Sequence, residues 1–411
     1  MLRKWFHVPA TLVPPLGRTQ QSRGHSRLVT FIVVISALLT VAAWVMLHRL
    51  YGLSEHYLTP GFTFAKIPAE HLWSTIATTA CLFVALIAAY GAIGWCILRA
   101  PEVSRTLRVA VLGSIVGAAL TSIFIYPVAA IDIFYYLAEL KLTYDFHHNP
   151  YQLTFLPTFQ SDQLARYGWP LHVPLAYGPA WLLLARLPVL VSGFDSLLLA
   201  LLSYKAWSAL MVLATGLLIA AHHTDHRRRW LSLHLFLGNP FIWFEAVANA
   251  HNDIVMTFFV IGAVLALGRR SLVALPLILL AALVKIVAVV LVPALALLAC
   301  TRLAWGVRRL AASTLLAAAV GGVLVMPFWD GGALLSGMAR GLAFAANLKT
   351  PSLLSLAQTI MEGQHVGHML RAIRVLFAII FCCVAGCLVW KMREWERALG
   401  WTLLLLFTLL G

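Results

Sequence analysis

LVTFIVVISALLTVAAWVMLH, residues 28–48, runs on without an Asp, Glu, Lys or Arg. A helix rises 1.5 Å per residue, so roughly 20 apolar residues match the ~30 Å hydrocarbon core of a bilayer. This stretch decides the fold class because its kind recurs along the chain. Comparable runs fall at 73–98, 107–130, 196–221, 231–248, 252–268, 271–287, 288–304, 310–328 and 372–390, and another starts near 398. The chain is 61% hydrophobic and 11% charged over 411 residues, with a mean hydropathy of +0.88. Inside a bilayer every backbone amide needs an internal partner, which leaves helices as the fitting element for such runs. The sequence predicts an all-α polytopic transmembrane bundle of about 11 spans, the last one truncated. It reads as a basic cytoplasmic tail at 1–27 and a single transmembrane domain at 28–411.

Charge orients the bundle, since cytoplasmic loops collect Lys and Arg. The tail carries Arg3, Lys4, Arg18, Arg23 and Arg27 and no acid. Alternating the spans from an inside N-terminus puts Arg99, Arg105, the Arg227-Arg228-Arg229 cluster, Arg269, Arg270, Arg308 and Arg309 on the same side. The formal net charge of +15 then lies on the cytoplasmic face. The basic pI is a topology signal, and nucleic acid is not an expected partner. Residues 178–193 are apolar but break the alternation and contain Arg186 and Pro188, which predicts a re-entrant or interfacial helix on the outer face. All six cysteines lie inside apolar runs, with no metal-ligand spacing and no place in an outer loop for a disulfide. A polar, basic N-terminus gives no sign of a cleavable signal peptide.

The unusual residues gather on the outer face, in stretches at 49–72, 131–177 and 329–371. Asp132, in Ile131-Asp132-Ile133-Phe134-Tyr135-Tyr136, stands where an apolar run gives way to the longest polar loop. An ionisable group near a bilayer is costly and tends to be functional, although a solvated aspartate at a helix end is the simpler alternative. Residues 133–146 have the pattern of an amphipathic helix lying on the membrane. Glu245 and then Asn249-Ala250-His251-Asn252-Asp253 bring a base, amides and carboxylates to one outer turn, where Asn252 or Asp253 would also serve as a helix cap. Lys285 interrupts the run Ala281–Val287 near its outer end. It either snorkels to the interface or faces inward to neutralise an anion. Arg371 and Arg374 open another span from the outer side, as anion ligands or as ordinary flanking charge. Thr350-Pro351 and Gly178-Pro179 read as helix starts.

Taken as an ordered set, these elements resemble the polyprenol-phosphate-mannose-dependent α-1,6-mannosyltransferases of the C-type membrane glycosyltransferases. The set comprises Asp132 and Tyr135, His148-Asn149-Pro150-Tyr151, Ala176-Tyr177-Gly178-Pro179-Ala180-Trp181, Gly238-Asn239-Pro240, His251-Asn252-Asp253, Val284-Lys285 and Thr350-Pro351-Ser352. The resemblance spans about residues 28–390. It implies a bacterial plasma-membrane enzyme that moves mannose from a polyprenyl-phosphate carrier to a glycan or glycolipid hydroxyl at the outer face. It implies Asp132 as base, and a C-terminus that continues through further spans in other members. It also makes Tyr135, Asn149, Tyr151, Tyr177, His251, Asn252, Asp253, Lys285, Arg371 and Arg374 candidate substrate ligands.

The residue types support such a chemistry on their own terms. A carboxylate can take the proton of an attacking hydroxyl, a lipid phosphate leaves without needing an acid, and cations hold the charge it carries away. Direct displacement inverts the anomeric centre. No cofactor is expected; a divalent metal on Asp132, Asp253 and His251 is open, without ligand spacing to argue for it. A transporter or lipid-linked sugar flippase is the competing class, but such proteins often show internal repeats and mid-membrane sites, and here the polar residues collect at one face without a repeat. The topology predicts that a cysteine introduced near Asp162 reacts with an impermeant thiol reagent added outside, and one near Arg228 does not. The reverse labelling would invert the orientation.

Overall fold

The computed structural model describes residues 23–59, 69–100, 102–167, 171–301 and 305–345. Arg371, Arg374, Thr350-Pro351-Ser352 and the apolar runs at 372–390 and from 398 lie outside the described residues. Within them the chain is helical, with no strand beyond one isolated bridge between Gly52 and Ile125.

The long helices follow the apolar runs. They are α1 (Arg23–Leu50), α2 (Ala69–Arg99), α3 (Arg105–Ile123), α6 (Leu197–Ala221) and α12 (Val307–Val325). Each contains a stretch long and apolar enough to cross a bilayer. Between them lie α4 (Asp132–Tyr144) and α5 (Pro179–Ser192). The pair α7 (His226–Leu237) and α8 (Pro240–Ala248), bent by 47° where they meet, is long and apolar enough for a sixth span only when the two are taken together. The apolar runs expected at 252–268, 271–287 and 288–304 fold as shorter helices: α9 (Asp253–Gly268), α10 (Ala274–Val284) and α11 (Leu291–Thr301). With 16, 11 and 11 residues, they reach about 24, 16 and 16 Å at 1.5 Å per residue, less than a bilayer's thickness. Helix α13 (Ala333–Ala345) closes the described chain. The protein is thus an integral membrane protein by its apolar helices. Large apolar side chains such as Phe31, Leu38, Val84, Leu120, Leu210, Leu315 and Val323 stand exposed on them, as a lipid-facing surface requires.

Sequence signals set the breaks. Ser104, Ser196 and Asp225 accept hydrogen bonds from backbone amides at the starts of α3, α6 and α7. Gly238-Asn239-Pro240 makes the α7–α8 bend: Asn239 Oδ1 accepts from Phe241 N at 3.0 Å, and Pro240 occupies the first helical position. The last turn of α8, Phe244–Ala248, widens into a π-turn. Lys285 ends α10 in an extended conformation, with φ −143° and ψ 118°.

Arg227 reaches the Ala100 carbonyl, and Ser313 reaches that of Leu272. These contacts bring the turns after α2, α6, α9 and α11 to one end of the bundle. The turns after α1, α3, α8 and α10 meet at the other. Here α4 departs from expectation. Far from lying on the membrane surface with one polar face, it is buried on nearly every side, from Ile133 through Leu140 and at Leu142. The segments 145–167 and 171–178 pack around it, tied down by the Lys141–Asp162 ion pair at 2.5 Å and by stacking of Phe134 on Tyr167.

The second segment then drops onto α10. Gly178 N donates to Val284 O, and a Cβ on Gly178 would stand 2.1 Å from Leu283 O. No side chain fits there without moving backbone. Gly178→Ala should therefore melt well below wild type in detergent, by an amount in the range of about 1–3 kcal/mol that overpacking costs. Gly91→Ala, where nothing lies within 4 Å, should not. Equal melting of the two variants would refute the close approach.

Candidate active site

Two carboxylates sit at helix N-termini: Asp132 is the first residue of α4, and Asp253 the first of α9. The positive end of a helix dipole favours an anion at both places. A third carboxylate, Glu245, comes from the π-turn of α8, and such turns are frequent at functional sites. The turn from Asn249 to Asn252 connects α8 to α9. Its Ala250 is fully buried with φ +59°, a left-handed conformation that costs a non-glycine residue about 1–2 kcal/mol.

His251 stands at the middle of this set. Its Nδ1 lies 3.6 Å from Asp132 Oδ2 and its Nε2 3.3 Å from Glu245 Oε2. Beside it, Lys285 Nζ donates to both oxygens of Asp253 at 2.8 Å. The five side chains are part-exposed, from 28% for His251 to 51% for Glu245, so a substrate can reach them. Asn249 fixes the turn: its Oδ1 accepts from Ala129 N at 3.2 Å and its Nδ2 donates to Glu245 at 3.4 Å. Burial opposes protonation of His251. The hydrogen bond to Glu245 and the nearby Asp132 and Asp253 carboxylates outweigh it and hold the imidazole pKa above its usual value. Among the described residues no group of three or more His, Cys, Asp or Glu has metal-site geometry.

An aromatic wall backs the charges. Tyr136 packs on Tyr177, Trp181 and Tyr204, and its hydroxyl lies 3.4 Å from that of Tyr177. Burial, then the Asp132 carboxylate, pushes the Tyr177 phenol far up, so it stays a neutral hydroxyl. Tyr177 is close enough to both Asp132 and Asp253 to feel each charge.

The candidate residues read from the sequence divide into two groups. Asp132, Tyr177, His251, Asp253 and Lys285 come together. Asn252 lies buried between them, and neither of its side-chain polar atoms has a partner among the described residues; it makes no capping bond to α9. Tyr135, Asn149 and Tyr151 bond instead to the backbone around them. Tyr135 donates to Pro174 O, and Tyr151 to Tyr177 O at 2.9 Å. Asn149 donates to Phe328 O and accepts from Tyr151 N. Lys285 does not stand free; it is an ion-pair partner of Asp253. Two further groups belong to this region. Glu245 completes the hold on His251, and Lys205, fully buried in α6, reaches the end of α8. Glu245 is already visible beside the 249–253 turn in the sequence; Lys205 is not singled out there, although an ionisable residue in an apolar run is the available signal.

The raised pKa of His251 links stability to pH. A group protonated more readily in the folded state contributes fully below its unfolded pKa of about 6.5. That contribution is lost as pH rises through the higher native value. Wild type should therefore out-melt His251→Gln most at pH 5.5, and the gap should close toward alkaline pH. A gap that does not vary with pH would contradict the His251 ion pairs.

No curated protein and no solved structure matches the chain significantly. A family profile does. It is described as alpha-(1->6)-mannopyranosyltransferase, N-terminal domain, and matches residues 54–301. That span holds α2 to α11, the aromatic wall and every ionisable group of the site. A helical membrane bundle and a matched segment covering more than half of its length identify the chain as a member of the alpha-(1->6)-mannopyranosyltransferase family.

Proposed function

We propose that the chain transfers mannose from a polyprenyl-phosphate carrier to a hydroxyl of an envelope glycan or glycolipid at the outer face of a bacterial plasma membrane, with inversion at the anomeric carbon. One observation carries this reading. Asp132 lies against His251, whose chain neighbour-but-one Asp253 is paired with Lys285, so a carboxylate that can act as base and a cation belong to one cluster.

In the reaction, the acceptor oxygen attacks the anomeric carbon while Asp132 takes its proton. The bond from that carbon to the phosphate oxygen breaks, and its electron pair leaves with the lipid phosphate. A β-linked donor then gives an α product. An ammonium has three donors. Two of those on Lys285 are spent on Asp253, and the third is free for a phosphate oxygen, where it meets charge that grows as the sugar departs. Arg371 and Arg374 are further candidates for the same phosphate. His251, held on two sides, and Asn252 and Asp253 next to it are placed to bind sugar hydroxyls. Tyr177 supplies a neutral hydroxyl and an aromatic edge.

The test is Asp132→Asn in purified, reconstituted protein. Transfer should fall by roughly 10²–10⁴-fold, the usual cost of a lost general base, with donor binding and protein level near wild type. Turnover close to wild type would remove Asp132 from the chemistry.

A further inference from the structure

Helix α8 ends beneath the site, and its end needs an account. The last carbonyls of a helix have no partner within it, and in a membrane interior an unmatched carbonyl is expensive. Two of those in α8 are answered by the turn that follows. Phe244 O accepts from Asn249 N at 2.8 Å, and Glu245 O from His251 N at 3.1 Å. Val247 O and Ala248 O, the last two, are answered from another helix. Lys205 Nζ donates to Val247 O at 2.9 Å and also to Ala248 O.

Lys205 is an unusual choice for that task. It is 0% exposed, it lies in an apolar helix, and among the described residues it has no ion-pair partner. A charge there is costly, and the negative end of a helix dipole is the one favourable partner in reach. Its chain neighbour Tyr204 points the other way, into the wall formed by Tyr136 and Trp181. One turn of α6 thus touches both sides of the site. His251 begins three residues beyond Ala248, and the intervening Ala250 holds a left-handed conformation that surrounding structure must enforce.

We infer that Lys205 is a positioning residue for catalysis. By clamping the Val247 and Ala248 carbonyls, it fixes the 249–252 turn and thereby sets His251 between Asp132 and Glu245. It touches neither substrate nor reacting atoms. This step rests on the proposed role of the His251 cluster, so its test has one arm that needs no activity.

In that arm, amide hydrogen exchange of full-length protein in detergent is compared between wild type and Lys205→Met, which keeps length and apolar bulk but donates nothing. Exchange over 244–253 should speed up at least tenfold, while that of α1 and α3 stays as in wild type. Should Lys205→Met fold poorly, Lys205→Arg, which keeps donors for both carbonyls, should hold exchange in 244–253 near the wild-type rate. In the kinetic arm, Lys205→Met should lower kcat about 10- to 100-fold with donor KM within threefold, and Lys205→Arg should recover part of it. Combined with His251→Gln, it should add little to the loss from His251→Gln alone, because both act through one group. Unchanged exchange in 244–253 would overturn the inference, as would fully multiplicative losses in the double variant. A wild type without transferase activity would strike the proposed function but leave the exchange result standing.

Discussion

Carboxylates crowded into one part-buried site repel unless cations stand among them, and the position of His251 between Asp132 and Glu245 meets that constraint. Three carboxylates are brought within reach of one another by the ends of α4, α8 and α9. Alone they would repel. His251 bridges two, and Lys285 holds the third. The pairing offsets the cost that lone, part-buried acids would carry, and it leaves the carboxylates part-exposed.

Broken helices make this arrangement possible. A helix that crosses the membrane unbroken satisfies its own backbone and offers only side chains. Here α8 stops at Ala248, α10 stops at Lys285, and α4 and α9 begin at Asp132 and Asp253. The site is therefore built from chain ends, where backbone direction changes and helix dipoles point at the ligands. Eight residues of α6 separate Leu197 from Lys205, about 12 Å of helix, so the site sits below the tip of the α5–α6 hairpin. The buried α4 and the loop pinned on α10 through Gly178 wall it in.

Much of this was legible in the sequence. Long apolar runs announced the helical bundle, and the cluster of Asp132, His251, Asp253 and Lys285 was visible because each is a costly residue at the end of such a run. Other parts were not. The α4 sequence mixes apolar and polar positions as a surface helix would, and nothing local says that Asp162 and Tyr167 fold back onto its Lys141 and Phe134. Glu139 is the measure of this: it falls within 133–146, expected as a surface helix, yet is fully buried with both oxygens unpartnered among the described residues, and burial pushes its carboxyl well above the usual range. Asn149 and Tyr151 carry a recognisable motif, but their bonds to Phe328 O and Tyr177 O could not be read from it, since a motif records that a residue matters without saying what it touches. Lys285 was visible as an embedded cation, while its partner Asp253, 32 positions away, depends on how α9 and α10 pack.

The central claim is that this chain, as a mannosyltransferase, uses a lipid-phosphate donor and inverts it. The most direct measurement is transfer by the purified protein in liposomes, with synthetic β-linked polyprenyl-phosphate-mannose labelled in the sugar and membrane glycan or glycolipid as acceptor. The anomeric configuration of the product is then read by NMR or α-mannosidase digestion. The account predicts labelled product with an α linkage, released fully by the α-mannosidase. A β-linked product would contradict inversion, and label left entirely on the carrier, while a nucleotide-activated mannose is used instead, would contradict the donor.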